Sequence, residues 1–445
     1  MQEGSKVGGA ARSSSPAERS DLLSSCGAGE EAWLARLGYP VSGVLERCTR
    51  ERGVAAPRGF RAGGVHAGIK RRRPDLGWIV SEVPARAAAV YTRHAFPAAP
   101  LLVTREAIAR SGGVLRGVIV NSGNANAITG ERGLTDARRM QALFAERIGT
   151  SPEHVAVAST GVIGVPLPME RIESALAGLP LAEGDEGAFA RAILTTDTRT
   201  KQAAATLVVD GVEVTVAGTA KGSGMIHPNM ATMLAFFTTD ADVDGPSLED
   251  LFREVSARTF NRISVDGDTS TNDMALILAN GLAGNRPLEP SHPDWSRFRS
   301  ALFYVARELA RAIAEDGEGA TKLLHVRVDG ARDEVSAGEL ARAVVRSSLV
   351  KAAIYGADPN WGRIASALGA SGIPFSPEGL SVVLQGIPVL ARGMPLPFDE
   401  AAAAERLREE YVLVDVHLED GSGVAEAWGC DLTEDYVRIN AHYRT

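Results

Sequence analysis

An Asp-Gly pair set between two alternating runs constrains the fold more than any other feature of this chain. Ala204–Val209 and Val212–Ala217 both alternate, and Asp210-Gly211 supplies a two-residue turn of the kind that closes antiparallel hairpins. A purely parallel, doubly wound sheet is therefore not expected. The flanking segments are mixed. Trp78–Val83, Ala88–Tyr91 and Gly117–Val120 are short strand signals, and Leu134–Ile148 places Met140, Leu143, Phe144 and Ile148 on one helical face. Trp295–Ala314 reads as a long amphipathic helix ended by Asp316-Gly317, Lys322–Val328 as a strand and Ala337–Arg346 as a helix. Val412–Leu418 and Val424–Trp428 flank Glu419-Asp420-Gly421-Ser422, which predicts a second hairpin. The fold class is α/β, with no obvious internal repeat.

Length and composition narrow the function. With 445 residues, 45% of them hydrophobic and 23% charged, the chain can bury two or three domain cores. A formal charge of −8 and only 5% aromatic residues argue against nucleic acid as a partner. No stretch approaches the roughly 18 consecutive apolar residues of a membrane span. Cys26, Cys48 and Cys430 are odd in number and scattered, so neither a disulfide framework nor a zinc set is expected. These features predict a soluble, cytoplasmic protein. Residues 1–57 are polar and charge-balanced, with no apolar signal core and too many acids for a transit peptide. They read as a loosely ordered extension, with a short helix within Trp33–Leu45.

Several catalytic signatures are missing: HExxH, GxxxxGK[ST] and GxSxG do not occur, and no histidines show metal-ligand spacing. No metal is expected. Lys70-Arg71-Arg72-Arg73 is followed at once by Pro74 and Asp75 and reads as a solvated loop. The informative stretch runs from Ala220 to Phe236. It leaves the hairpin, crosses Gly222-Ser223-Gly224 and enters an apolar run at Thr232. From the residues alone this is a glycine-rich connection into a buried strand, or a phosphate cradle built from backbone N–H groups.

Lys221–Phe236 resembles the self-cleavage site of the ornithine acetyltransferases, the bifunctional glutamate N-acetyltransferases of arginine biosynthesis. Further blocks agree, in one order from Gly59 to Thr445: Asn121–Asn126, Ser159–Gly164, Thr195–Thr198, Ser264–Asp273, Asp316–Lys322, Gly356–Arg363 and Tyr436–Asn440. The resemblance implies an αββα sandwich of the N-terminal-nucleophile type, with stacked mixed sheets flanked by helices. A smaller C-terminal α/β domain would begin near residue 330.

It also implies autocatalytic cleavage between Ala231 and Thr232, giving chains 58–231 (after the extension) and 232–445. An unmodified threonine hydroxyl is a poor nucleophile; at a chain start its own α-amine can serve as base. Thr160 and Gly161 would form the oxyanion hole. Thr198, Lys221, Thr232, Glu318, Asn440 and Thr445 would meet the substrates, N2-acetyl-L-ornithine and L-glutamate. No cofactor is implied, and the two cleaved chains would assemble as an α2β2 heterotetramer. The family includes enzymes that accept acetyl-coenzyme A as a second donor and others that do not, and no residue here separates them. A hydrolase of the self-processing aminopeptidase kind would need the same cut, whereas a binding protein would keep an intact chain. Two departures from the family pattern are His442, where an acid is more usual, and Ile128, in place of a frequent cysteine.

Overall fold

A computed structural model describes residues 28–227 and 233–442. Strands are numbered along the chain: β1 (Arg47–Thr49), β2 (Phe60–Val65), β3 (Leu76–Tyr91), β4 (Val114–Asn124), β5 (Val155–Val162), β6 (Lys201–Val209), β7 (Val212–Lys221), β8 (Leu234–Thr239), β9 (Ile263–Ser264), β10 (Met274–Ala279), β11 (Leu323–Ala331), β12 (Ser381–Leu384), β13 (Ile387–Ala391), β14 (Met394–Pro395), β15 (Tyr411–His417) and β16 (Gly423–Cys430). The helices used below are α1 (Ala28–Arg36), α2 (Gly130–Arg147), α3 (Met169–Ala177), α4 (Gly245–Arg258), α5 (Trp295–Glu315), α6 (Glu334–Arg346) and α7 (Glu434–His442).

The first sheet runs β1-β6-β7-β8-β10-β3-β4-β5, with β2 also on β3. The hairpin expected at Asp210-Gly211 is present, with φ values of 50° and 79° at the turn and Val209 opposite Val212. The two short strand signals at Trp78 and Ala88 are one strand, β3, of 16 residues. Pro84 interrupts the sequence pattern, and it lies where the register with β4 shifts between Val80 and Ala85; a bulge is where a strand tolerates proline.

That bulged strand joins two leaves. Its first half pairs with β2 and β4, and its second half with β10. Between the leaves, Ile79, Val118, Val120 and Ala156 of one pack with Leu234, Phe236, Leu276 and Leu278 of the other. Helices α2 and α3 cover the outer face around Trp78, Ile119 and Val157, while α4 and α5 cover Val216, Phe237 and Ile277. The result is the αββα sandwich. Its central strand β8 is buried at every residue, as an apolar run from Met233 requires.

The second sheet, β14-β13-β12-β15-β11-β16-β9, forms the smaller C-terminal unit and borrows β9 from earlier in the chain. Its core places Leu324, Val326, Val414 and Ala427 against Leu340 and Val344 of α6. The expected second hairpin is not formed. β11 lies between β15 and β16, parallel to the first and antiparallel to the second. The 418–422 loop crosses the end of β11, with Leu418 N donating to Asp329 O (2.9 Å) and Gly421 N to Gly330 O (2.9 Å). Gly330 has φ 72°, and a Cβ there would collide with the Leu418 carbonyl. Turn residues report a reversal of direction, but not whether a third strand is inserted.

The extension also differs from expectation. From residue 28 it is built into the fold: α1 begins before the predicted helix and ends at Arg36 within it, Trp33 and Tyr39 are buried, Tyr39 stacks on Phe303 at 3.9 Å, and β1 pairs with the edge of β6. Two aromatic anchors outweigh a polar composition. Residues 1–27 lie outside the described residues.

Candidate active site

The parallel strands β4 and β5 end side by side, Gly123 opposite Gly161. Gly161 has φ 134°, and a Cβ there would strike the Gly123 and Asn124 backbone, so only glycine permits this approach. The Asn272 amide fixes the turn by donating to Ala125 O (2.6 Å) and Ser159 O (2.8 Å). Across the sandwich, β7 ends at Lys221, directly opposite Leu234 at the start of β8. Thr160, Gly161, Lys221, Glu318 and Asn440 line one pocket, joined by Thr195, Gly224, Met233 and Asp273. Ala231, Thr232 and Thr445 lie outside the described residues.

Lys221 is not a surface charge. Its Nζ is buried, 2.9 Å from Thr195 Oγ1, 3.4 Å from Thr160 Oγ1 and 3.9 Å from the Asp197 carboxylate. Burial pulls the ammonium down, and Asp197 opposes that shift. Asp197 is already engaged by Lys201 Nζ (2.8 Å), Gly222 N (2.7 Å) and Thr195 N (3.0 Å). Burial alone would raise its carboxyl, but Lys201 and Lys221 hold it well below the usual range. Lys201 also binds Asp316 (2.5 Å), so it sits between two carboxylates. Lys221 has only the Asp197 carboxylate at 3.9 Å among the described residues, beyond hydrogen-bond reach, which leaves its N–H groups able to meet a further carboxylate.

Glu318 is likewise buried. It accepts from Asn440 Nδ2 (2.8 Å), and Gly224 packs so closely that a Cβ would strike its carboxylate. Asn440 reaches it from α7. Thr198 is not on the pocket wall; its hydroxyl and its N–H both donate to Asp316.

The phosphate-cradle alternative loses one of its three amides to a carboxylate, and a second carboxylate takes the amides that follow. Gly222 N donates to Asp197, while Met225 N (2.6 Å) and Ile226 N (2.9 Å) donate to Asp266. In the basic run Arg71–Arg73 are exposed, but Lys70 turns inward, bonds Leu194 O (2.9 Å) and is brought down to about 8 by burial. Asp273, unremarked within its sequence block, is buried in the pocket wall, with Oδ2 taking no hydrogen bond from the described residues. Burial pushes its carboxyl well above the carboxylate range, against the pull of Ser270 and Lys221. Its position in the Ser264–Asp273 block was the only signal available. Among the described residues no group of His, Cys, Asp or Glu could hold a metal, and no helix is long and apolar enough to cross a membrane.

Architecture and pocket together define an αββα sandwich with a cation, a carboxylate and a glycine turn converging beside the start of β8. The ArgJ family profile matches residues 61–445, and the chain belongs to that family. The arginine biosynthesis bifunctional protein ArgJ of Oceanobacillus iheyensis is 53% identical over 392 residues, covering 88% of this chain and 96% of that protein. Its counterpart from Geobacillus kaustophilus is 53% identical over 394 residues, covering 88% and 96%. Among solved structures, the bifunctional ArgJ of Bacillus halodurans is 50% identical with a TM-score of 0.47, covering 48% of this chain and 100% of that one. The ornithine acetyltransferase of Mycobacterium tuberculosis, complexed with ornithine, is 41% identical with a TM-score of 0.38, covering 42% and 99%.

Proposed function

We propose that this enzyme transfers an acetyl group from N2-acetyl-L-ornithine to L-glutamate through an acetyl-Thr232 intermediate, after cutting its own chain at Ala231–Thr232. The observation that carries this reading is the convergence of Thr160, Gly161, Lys221 and Glu318 on a pocket that also takes Met233, the residue following Thr232. In the first step the Thr232 hydroxyl attacks the Ala231 carbonyl, and water hydrolyses the resulting ester. The cut frees an α-amine that titrates near 8, able to take the hydroxyl proton in each later attack.

In transfer, Thr232 Oγ attacks the acetyl carbonyl. The Thr160 hydroxyl and Gly161 N–H stabilise the oxyanion, each such donor being worth roughly 3 kcal/mol. Ornithine leaves with a proton on its α-nitrogen, and the glutamate amine then attacks the acetyl ester. Lys221 meets a substrate carboxylate. Glu318, held by Asn440, receives an ammonium or the proton of the reacting amine. Thr198 joins them once its hydroxyl turns from Asp316, and Thr445 completes the contacts.

Acetyl-coenzyme A as a second donor suits the word "bifunctional" in the relatives' name. An α2β2 assembly and a cytoplasmic location complete the reading. Mass spectrometry after mixing with acetylornithine tests it: the second chain should begin at Thr232 and gain one acetyl group, which glutamate discharges. Discharge to free acetate without need of glutamate would replace the transferase by a hydrolase.

A further inference from the structure

A cleft of about 360 Å³ lies away from this pocket, where the end of α1 and the turn Phe260–Arg262 meet the start of α6 and β16. Four guanidinium groups border it. Three are committed: Arg36 to Asp329 at 2.6 Å, Arg258 to Glu334 and the Tyr39 hydroxyl at 2.8 Å each, and Arg332 to Asp333 at 3.1 Å. The fourth, Arg262, is only 8% exposed and makes no side-chain hydrogen bond or ion pair with any described residue.

Three carboxylates also line the cleft, and each is engaged elsewhere: Asp333 by Arg332 and Ser336 N, Glu426 by Arg307 and His325, and Glu334 by Arg258. Glu339 is 3.2 Å from Arg342. Burial draws the Arg262 guanidinium below its ordinary range; Glu339 and Glu334 oppose that, and Arg342 and Arg258 add to it. The group lies flush on α6 at Gly338, where any Cβ would overlap its terminal nitrogens. Glycine thus leaves room for a buried cation that no described carboxylate meets within ion-pair distance.

An unpaired buried ion costs several kcal/mol. An anion entering the cleft would recover part of that cost. The planar fork of a guanidinium matches two oxygens of a carboxylate or a phosphate. We infer that this cleft is an anion-binding site separate from the acetyl-transfer pocket, taking a small carboxylate or phosphate on Arg262. The inference does not depend on the acetyl-transfer reading.

Titration calorimetry of the full chain with inorganic phosphate, and separately with malonate, tests it at low ionic strength. One or both should bind saturably, and the tighter of the two shows whether the site prefers tetrahedral or planar oxygens. Arg262→Met should weaken binding by about tenfold or more, the scale of a lost hydrogen bond to a charged group. Arg262→Lys keeps the charge but not the fork and should lose most of the same affinity. The Arg262-dependent binding should persist in Lys221→Ala, which separates this site from the catalytic pocket. Should Arg262→Met fail to fold, selenate soaked into wild-type crystals should give an anomalous peak at Arg262. Neither anion binding the wild type, equal binding by Arg262→Met, or selenate absent from Arg262 would each overturn the assignment.

Discussion

Two buried charge networks divide the labour of this molecule. Beside the pocket stand Asp197, Lys201, Lys221 and Asp316; between α1, α5 and the second sheet stand Arg307, Glu426, His325 and Glu30. In the second, Arg307 Nε and Nη2 donate to the two Glu426 oxygens (2.7 and 3.1 Å), and Nη1 meets Glu30 (2.7 Å). Glu426 Oε2 also takes the Trp33 indole (3.1 Å) and pairs with His325 Nε2 (2.8 Å), whose other nitrogen meets Tyr411 Oη (2.7 Å). Burial would raise the Glu426 carboxyl, but Arg307 and His325 hold it well below its usual range. Every charge there is answered from within the chain. In the pocket network Lys221 is hydrogen-bonded only to hydroxyls among the described residues, with Asp197 at 3.9 Å, and the neighbouring Asp273 has one oxygen without a hydrogen bond from them. Both networks carry a burial cost; spare bonding capacity distinguishes the one beside the pocket.

The largest effect belongs to Thr232→Ala. One hydroxyl would serve both the cut and the transfer, so a single intact chain and activity at background are expected from gel and assay, while Thr232→Ser retains some of both. Next comes Arg307→Met in the closed network. Leaving Glu426 buried without its guanidinium, with only Trp33 and His325 against it, should cost about 3–5 kcal/mol in denaturant unfolding, with turnover per folded molecule unchanged. Lys221→Ala should do the reverse. Stability should hold, because Lys201 still answers Asp197, while kcat/KM falls by the equivalent of about 2–5 kcal/mol for a lost carboxylate partner. If Lys221→Ala unfolded the chain and kept its kinetics, the pocket network would be architecture as well.

Much of this was legible from residues. The Asp210-Gly211 hairpin, the long α5 and the buried run after Met233 follow from turn chemistry and periodicity. Thr160, Gly161, Lys221, Glu318 and Asn440 were reached through resemblance; nothing in their local spacing predicts that they meet in one pocket. What was hidden depended on long-range contacts. The insertion of β11 between β15 and β16 leaves no trace in the turn Glu419–Ser422. The anchoring of residues 28–57 rests on Trp33 finding Glu426, 393 positions away. Asp273 looks like any loop acid until burial and the nearby Lys221 are known.

Asp273 supplies the finest test, because the two networks should respond to pH with opposite signs. Its folded-state pKa lies above the ordinary 3.8, so the folded chain keeps a proton that the unfolded chain releases. Its contribution is therefore fully present below that ordinary value and is lost as pH rises towards the raised one, by up to about 1.4 kcal/mol per unit. Glu426 is depressed instead; its contribution is present above the ordinary 4.5 and is lost only as pH falls. Asp273→Asn keeps the size of the side chain and has no proton to lose. In urea melts of the uncut Thr232→Ala chain from about pH 5 to pH 8, adding Asp273→Asn should flatten a downward slope, so the variant gains on its parent as pH rises. Glu426→Gln should instead remove stability that persists across that range. Parallel curves for the Asp273→Asn chain and its parent would mean that Asp273 is ionised when folded, and the pocket network would then be as closed as the one around Arg307.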